Sequence, residues 1–154
     1  MHFLILAILC ILVDQGTKAL AVSRLGIGGS VPIINDFFYL TYVENRGAAF
    51  GILQEKQILF SIITVVVIIL LLSLLRKSPR LSFSRASLPY WCYTLILGGS
   101  IGNFIDRLRL GYVVDFMDFR FGSYGFPVFN VADMCIVVGT VGFLLLLLLE
   151  EHRG

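Results

Sequence analysis

Charged residues are scarce in this chain of 154 residues. Asp, Glu, Lys and Arg together make up 14% of it, whereas 58% of the residues are hydrophobic. This balance excludes an ordinary soluble domain and indicates a membrane protein of single-domain size. The formal net charge is only +2. A nucleic-acid partner is therefore not expected, because its phosphates would call for a clustered basic face.

Cysteine and histidine are also rare. The three cysteines, Cys10, Cys92 and Cys135, lie in apolar segments without a C-x-x-C pair or His-rich spacing. We interpret them as small hydrophobic side chains and predict no disulfide framework, no metal site and no cofactor. His2 and His152 lie at the two chain ends. A serine or cysteine mechanism is therefore disfavoured, because no histidine accompanies a candidate nucleophile.

Four segments have the roughly 20 apolar residues that a membrane-spanning helix needs. They cover about residues 3–22, 57–75, 88–105 and 131–149. The third opens with Pro89, which suits the first turn of a helix because its missing N–H would be unpaired there anyway. The sequence therefore predicts an all-α membrane protein with four transmembrane helices, forming a single integral domain over residues 1–154.

The loops predict how these helices are oriented. The connection 76–87 carries four basic residues and no acid, and Lys and Arg in short loops stay on the cytoplasmic side. With four spans, both termini are then cytoplasmic, while segments 23–56 and 106–130 face outward. The stretch FFYLTYV in the first outer segment is rich in residues that favour strands. We expect a small extracytoplasmic β-sheet there, and a loop or short helix on the outer face.

Polar residues within the spans are concentrated at one depth. Charged groups inside a bilayer are costly unless they are paired or hydrated, so each one needs a partner or a function. Asp14 and Lys18, toward the outer end of the first span, share a helix face at i, i+4 spacing in the order that favours an ion pair. A structural pair and support for a polar cavity both remain open.

The third span contributes Asn103, Asp106 and Arg107 at the same depth, preceded by the small residues of GGSIGN. Small residues let neighbouring helices approach closely, and this packing is sufficient to explain the glycines. It does not explain Arg107, whose fixed fork of donors suits a carbonyl or a carboxylate.

The fourth span begins with NVAD, which has a local interpretation. Asn130 is a good helix N-cap, and Asp133 at the N3 position would complement the positive end of the helix dipole. Asp115, within VVDF, has no capping role and is expected on the same outer loop.

Two carboxylates brought together by a fold can share one proton and act as the base and acid of an aspartic protease. That chemistry requires Asp115 and Asp133 to converge, which the sequence alone does not show. Ion or proton transport is an alternative, because buried Asp, Lys and Arg also mark proton relays. A noncatalytic assembly subunit is a third possibility.

Five stretches resemble the lipoprotein signal peptidase family, also called signal peptidase II. They are DQGTK at 14–18, ENRGAAFG at 44–51, GGSIGNFIDR at 98–107, GYVVDF at 111–116 and FPVFNVAD at 126–133. Their order and spacing agree with the family along nearly the whole chain. The resemblance implies an aspartic endopeptidase of the bacterial cytoplasmic membrane. Its substrate would be a diacylglyceryl-modified prolipoprotein, cut just before the lipid-modified cysteine.

The resemblance also implies roles for individual residues. Asp115 and Asp133 would be the catalytic pair, and Gly47, Ala48 and Phe50 match a loop that resembles the family's substrate-facing cradle. The supporting or substrate-binding residues would be Asp14, Lys18, Asn45, Gly47, Asn103, Arg107, Asn130 and Ala132. We expect the active site toward the outer face, lipid-modified signal peptides and membrane lipid as partners, and a monomer.

Overall fold

The computed structural model describes residues 2–47, 57–76 and 87–151. In this part of the chain the helices are α1 (His2–Leu25), α2 (Gln57–Leu75), α3 (Leu88–Leu110) and α4 (Val131–Glu151). The strands are β1 (Ser30–Ile34), β2 (Phe38–Asn45), β3 (Val113–Phe121) and β4 (Tyr124–Gly125). Most of the basic residues of the connection 76–87, together with Ala48, Phe50 and His152, lie outside the described residues.

Three of these helices are long and apolar enough to cross a membrane. The qualifying stretches are Phe3–Leu25, Ile58–Leu75 and Val131–Leu149, with mean hydropathies of 1.9, 3.2 and 2.5. The sequence predicted four spans, and α3 is the one that does not qualify among the described residues. The reason lies in its second half, where glycines and polar side chains replace the aliphatic residues that fill the other helices.

Helix α3 is the central helix, because it packs against α1, α2 and α4. Small residues make this packing close, as the sequence predicted. A Cβ atom at Gly99 would collide with the backbone carbonyl of Ala132 in α4. A Cβ at Gly102 would lie 2.6 Å from Oδ2 of Asp14 in α1. The glycines therefore bring the backbones of three helices together at the depth of the polar residues.

Both ends of α3 follow from local sequence. Pro89 lies in the first turn, as predicted. Gly111 ends the helix in the left-handed conformation, with φ of 77°, and its N–H donates to the carbonyl of Arg107 at 3.1 Å. The chain then turns directly into β3, which places this strand beside the C-terminal end of α3.

The described parts of segments 23–56 and 106–130 contain one antiparallel sheet with strand order β1-β2-β3-β4. The sheet predicted from FFYLTYV is confirmed, but half of its strands come from segment 106–130. The expectation that Asp115 lies on a loop is wrong, because Asp115 lies on β3 opposite Val43 of β2. Its strand pairs with β2, a long-range contact that local sequence does not reveal. No separate short helix occurs in the described residues of segments 23–56 and 106–130.

A β-bulge adjusts the sheet next to Asp115. Leu40 lies opposite Met117 and Val43 opposite Asp115, so β2 has one extra residue over this interval. The carbonyl of Phe129 accepts the N–H groups of both Phe116, at 3.1 Å, and Met117, at 2.8 Å. The segment leading into α4 is thereby fastened along β3, which brings the start of α4 to the strand that carries Asp115.

A buried cluster of charged side chains joins α1 and α3. The ammonium nitrogen of Lys18 lies 2.9 Å from Oδ2 of Asp14, so the ion pair predicted from spacing is confirmed. Lys18 Nζ also lies 2.9 Å from Oδ2 of Asp106 in α3, and all three side chains are at most 5% exposed. One buried cation is therefore held between two carboxylates from different helices.

The same carboxylates also bind backbone groups of the elements that carry the candidate site. Asp14 Oδ1 accepts the N–H of Ala132, in the first turn of α4, at 2.9 Å. Asp106 Oδ2 accepts the N–H of Val114, the residue before Asp115, at 3.1 Å. The charge cluster therefore connects α1 and α3 to the start of α4 and to β3.

Substituting Gly99 by alanine tests the close approach of α3 and α4. We expect Gly99→Ala to destabilise the fold by about 1–3 kcal/mol through overpacking. Gly16 is the matched control, because it is a helical glycine with no other atom within 4 Å of an added Cβ. Gly16→Ala should stabilise the fold by up to about 1 kcal/mol. Thermal unfolding in detergent measures both, and equal melting temperatures would contradict the packing described.

Removing the buried cation tests the charge cluster. Lys18→Met leaves the carboxylates of Asp14 and Asp106 buried without their cation, which should cost about 3–5 kcal/mol of unfolding free energy. Arg46→Met is the comparison, because its ion pair with Glu44 has 61% of the arginine side chain exposed. The Arg46 variant should unfold at nearly the unmodified temperature. A small effect of Lys18→Met would show that the cluster does not hold the helices together.

Candidate active site

Asp115 and Asp133 lie on the wall of one cavity. Asp115 projects from β3 and Asp133 from the first turn of α4, and the cavity has a volume of about 910 Å³. Of the other site residues predicted from sequence, four share this wall: Asn45, Gly47, Asn103 and Arg107. Four do not line it and lie behind it: Asp14, Lys18, Asn130 and Ala132. The fold therefore separates the predicted residues into a wall and a buried support.

Asn130 and Asp133 form a reciprocal cap at the start of α4. The Asp133 N–H donates to Asn130 Oδ1 at 2.9 Å, and the Asn130 N–H donates to Asp133 Oδ2 at 3.2 Å. This is the capping-box arrangement, with an Asn and Asp in place of the usual residue types. The capping role inferred from NVAD is confirmed.

The cap also reaches the second carboxylate. Asn130 Nδ2 donates to Asp115 Oδ1 at 2.6 Å, and the Asn130 side chain is completely buried. One residue thus binds Asp133 through its backbone N–H and Asp115 through its side-chain amide. The local capping interpretation and the convergence of the two aspartates are therefore both correct, and they depend on the same asparagine.

Asp133 receives a second hydrogen bond from α3. Asn103 Nδ2 donates to Asp133 Oδ1 at 2.7 Å, while Asn103 Oδ1 accepts from Lys18 Nζ at 2.8 Å. Both oxygens of Asp133 therefore accept from protein donors. Through Asn103, the carboxylate is also connected to the buried charge cluster.

Asp115 is held from the neighbouring strand. Asn45 lies opposite Val113, so it is the diagonal neighbour of Asp115 on the same face of the sheet. Asn45 Nδ2 donates to Asp115 Oδ2 at 2.8 Å, and Asn45 Oδ1 accepts the N–H of Gly47 at 3.0 Å. The turn after β2 therefore fixes the amide that binds this carboxylate.

The environment of Asp115 favours its protonated form near neutrality. Burial, followed by the negative charge of Asp133, raises the pKa of Asp115 to about 7. Hydrogen bonds from Asn45 and Asn130 and the positive charge of Lys18 act in the opposite direction and do not cancel the rise. Asp115 can therefore hold a proton at a pH at which an ordinary aspartate is ionised.

Arg107 projects onto the cavity wall without a carboxylate partner among the described residues. Its guanidinium carbon lies 5.7 Å from the ring centre of Phe60, and its buried Nε has no hydrogen-bond partner there. The sequence suggested that its donors hold a carbonyl or carboxylate. The described part of the protein supplies no such group, so the donors are available to a molecule in the cavity.

One side of the cavity is apolar. Met134, Val137 and Val138 of α4 line it and are 46%, 59% and 58% exposed, respectively. Pro127 and Phe129, before α4, continue this surface. The cavity thus combines two carboxylates and an arginine with an apolar wall on a helix apolar enough to span a membrane.

Sequence reasoning did not single out two supporting residues. Asp106 is the second carboxylate partner of Lys18, and Gln15 donates to Asp106 Oδ1 at 2.9 Å and to the carbonyl of Gly102 at 3.2 Å. Asp106 was noticed only as a polar residue at the right depth. The spacing of Asp106 from Asn103 did not indicate that Asp106 faces α1. Gln15 is a single polar residue next to Asp14 in the sequence, and this position alone did not indicate a role for it.

No group of three or more His, Cys, Asp and Glu side chains that could hold a metal ion occurs in residues 2–47, 57–76 and 87–151. The cysteines Cys10, Cys92 and Cys135 are free thiols.

Similarity to characterised sequences covers nearly the entire chain. Residues 6–149 match the family described as signal peptidase (SPase) II. A lipoprotein signal peptidase from Caldanaerobacter subterraneus subsp. tengcongensis is 54% identical over 139 residues, covering 88% of this chain and 90% of the relative. One from Halothermothrix orenii is 45% identical over 150 residues, covering 97% of each chain.

Solved structures agree with the sequence comparison. One bacterial membrane enzyme superposes with a TM-score of 0.88 at 33% identity, covering 99% of this chain and 90% of its own. A second has a TM-score of 0.81 at 33% identity, covering 96% of this chain and 92% of its own. By its sequence over nearly its full length and by its fold, the chain belongs to the signal peptidase II family of aspartic peptidases.

Proposed function

We propose that this protein is an intramembrane endopeptidase that removes the signal peptide from bacterial lipoprotein precursors, with Asp115 and Asp133 as its catalytic pair. The observation that carries the proposal is the bridge through Asn130, which binds both carboxylates on one cavity wall. Family membership supports the reaction class. An ion-coupled transporter, the alternative left open by the sequence, receives no support from the family or its named relatives.

The two carboxylates are suited to different steps of hydrolysis. Asp133 lies in the first turn of α4, where the helix dipole and two hydrogen bonds favour the ionised form. It takes a proton from water as the water oxygen attacks the scissile carbonyl. Asp115, protonated near neutral pH, donates its proton to the carbonyl oxygen. In the collapse of the tetrahedral intermediate, Asp133 gives the proton it took from water to the leaving nitrogen and Asp115 takes a proton from a hydroxyl group of the intermediate. The C–N bond breaks, giving a carboxyl and an amino terminus, and both aspartates return to their starting protonation states.

The remaining wall residues position the substrate in this scheme. The donors of Arg107, which have no hydrogen-bond partner among residues 2–47, 57–76 and 87–151, are available to a substrate carbonyl, which fits the preference of a guanidinium for planar oxygen acceptors. Asn45, at the end of β2, and Gly47, just after it, also line the cavity. The peptide would lie between α3 and the turn after β2, with its scissile bond at the two aspartates.

The substrate class follows from the relatives and from the apolar wall. The named relatives are lipoprotein signal peptidases, and we propose that this chain cleaves diacylglyceryl-modified prolipoproteins just before the modified cysteine. Such a substrate carries an apolar signal segment and two acyl chains. The exposed side chains of Met134, Val137 and Val138 offer them a surface continuous with the bilayer.

We also propose that α3 crosses the membrane, which gives four spans, with segments 23–56 and 106–130 outside and 76–87 inside. Its 23 residues give a helix about 35 Å long. Asn103 and Asp106 do not prevent insertion, because both are buried and bind residues of α1 and α4, while Arg107 faces the cavity. The basic connection 76–87 then places both termini in the cytoplasm and the active site toward the outer face. The protein acts as a monomer in the bacterial cytoplasmic membrane.

Replacing either catalytic aspartate by asparagine tests the proposal. Asp115→Asn and Asp133→Asn should each lower the cleavage rate of a diacylglyceryl-modified precursor by about 10²–10⁴-fold, because each removes one proton-transfer group. The measurement uses purified protein in detergent or liposomes. An unmodified precursor, assayed in parallel, should be cleaved poorly.

The matched control is Asp118→Asn. Asp118 lies on the same strand as Asp115 but on its opposite face, where it binds Arg120 and Thr41 outside the cavity. This variant should keep its activity. Full activity in Asp115→Asn or Asp133→Asn would rule out the proposed pair, and flux of an ion without cleavage would revive the transporter.

The raised pKa of Asp115 predicts a pH-dependent cost to folding. An aspartate ionises at about 3.8 when exposed, whereas folding raises the pKa of Asp115 to about 7. The folded protein therefore loses stability as the pH rises through this window, and the loss is complete above pH 7. Asp115→Asn removes a penalty on the order of 4 kcal/mol at pH 8 and none at pH 3.

Thermal unfolding of Asp115→Asn at pH 8 and at low pH measures this effect. Asp118 should behave in the opposite way. Burial tends to raise the pKa of Asp118, but hydrogen bonds from Arg120 and Thr41 outweigh it and lower the pKa. Asp118→Asn should therefore destabilise the protein at pH 8 more than at low pH. A Tm difference for Asp115→Asn that does not change with pH would contradict the assignment.

A further inference from the structure

The hydrogen bonds of Lys18 are fully assigned. An ammonium group has three N–H donors and no acceptor. Its three partners are Asp14 Oδ2 at 2.9 Å, Asp106 Oδ2 at 2.9 Å and Asn103 Oδ1 at 2.8 Å. Lys18 is 3% exposed, so these bonds are largely shielded from water. Each donor therefore has one protein acceptor.

This assignment determines which way the Asn103 amide points. Because Lys18 can only donate, the atom of Asn103 that faces it must be the oxygen. The amide nitrogen then faces Asp133 and donates to its Oδ1 at 2.7 Å. A flipped amide would place NH₂ against the ammonium and a carbonyl oxygen against the carboxylate. Both contacts would be repulsive in a site shielded from water.

The second amide is fixed from the other side of the site. Asn130 Oδ1 accepts the N–H of Asp133, so the Asn130 amide nitrogen faces inward. It donates to Asp115 Oδ1 at 2.6 Å and to Asn103 Oδ1 at 3.1 Å. Asn103 Oδ1 therefore accepts from both Lys18 and Asn130. The two asparagines therefore form a chain of hydrogen bonds in which Asn130 donates to Asn103 and Asn103 donates to Asp133.

We propose that Lys18 is a positioning residue that acts through Asn103, fixing the hydrogen bond to Asp133 in the direction that keeps Asp133 the base of the pair. The proposal rests on the proposed function. Lys18 does not line the cavity and touches neither catalytic carboxylate in this arrangement. Its effect on the reaction is therefore indirect and depends on the amide between them.

Lys18 also acts on the site through its charge, and a test must separate the two effects. The other charged groups around the catalytic pair are Asp14 from α1, Asp106 and Arg107 from α3, and Glu44 and Arg46 at the end of β2. Removing Lys18 together with Asp14 leaves the net charge of Lys18 and these groups, taken together, unchanged. The combination Lys18→Met with Asp14→Asn therefore removes the donor to Asn103 at constant net charge.

The experiment is a double-mutant cycle on the purified full-length protein, with a diacylglyceryl-modified precursor as substrate. One arm is Asn103→Leu, the second is Lys18→Met with Asp14→Asn, and the third combines all three substitutions. Each of the first two should lower kcat by about 10- to 100-fold, the value of a hydrogen bond to a charged group. If Lys18 acts through Asn103, the combined variant should be no slower than Asn103→Leu alone.

The pH–rate profile provides a readout that a purely structural role would not move. Without the oriented Asn103 amide as donor, the ionised form of Asp133 is less favoured. The acid limb of the pH–rate profile should therefore move to higher pH, by the same amount in the Asn103 variant and in the Lys18 and Asp14 variant. Gln15→Leu is the matched control, because Gln15 binds Asp14, Gly102 and Asp106 but does not bind Asn103. It should lower the melting temperature and leave the pH–rate profile in place.

Additive losses of kcat in the cycle, or an acid limb that does not move, would overturn the role of Lys18. If the Lys18 variants do not fold, Asn103→Asp keeps the bond to Lys18 and replaces the donor toward Asp133 by an acceptor. That variant should move the acid limb to higher pH, and an unchanged profile would also overturn the proposal. Cleavage activity in Asp133→Asn would instead overturn the proposed function. An inactive Asp133→Asn, combined with additive losses of kcat in the Lys18 and Asn103 cycle, would overturn only the role of Lys18.

Discussion

The burial of the Lys18 ammonium between Asp14 and Asp106 is the constraint on which the rest of the structure depends. A charge in a membrane helix is costly unless it is paired, and the two carboxylates come from different helices. The bonds of these carboxylates to backbone N–H groups near Asp115 and Asp133 continue the cluster into β3 and α4. Forming the ion pairs and assembling the cavity are therefore one event. The close approach allowed by Gly99 and Gly102 makes that event geometrically possible.

In the proposed mechanism, the same groups serve both the fold and the chemistry. Asn130 satisfies one of the free N–H groups at the start of α4, that of Asp133, as a helix cap does, and its side-chain nitrogen still reaches Asp115. Asn45 ends β2 and is held by the N–H of Gly47, and it binds Asp115 as well. Because both amides have a structural bond that fixes their orientation, neither needs to reorganise when the reaction begins. Such preorganisation of polar groups is the main way in which a fold lowers a barrier.

Much of this architecture was predictable from local sequence. The N-cap at Asn130, the N3 position of Asp133 and the ion pair of Asp14 and Lys18 each depend on residues within about one turn, so spacing alone predicted them. The reciprocal bond from the Asn130 N–H to Asp133 was seen only in the structure. Strand β3 was not predicted, because its assignment depends on pairing with β2 across the intervening helices. For the same reason, Asp106 could not be identified as the second partner of Lys18. The convergence of Asp115 with Asp133 came from the resemblance and not from spacing, since only the sheet register and the Phe129 carbonyl bring these elements together.

Helix α3 shows why hydropathy is least informative where function is concentrated. A helix surrounded by lipid must be apolar on most faces, which describes α2. Helix α3 instead contacts the three other helices and the sheet, so its surface can carry glycines for close packing and polar groups for the site. These residues lower its apolar character below that of its neighbours. The helix that is not apolar enough to be recognised as a membrane span is therefore the one that holds Asn103, Asp106 and Arg107. Only a position shielded from lipid tolerates these residues.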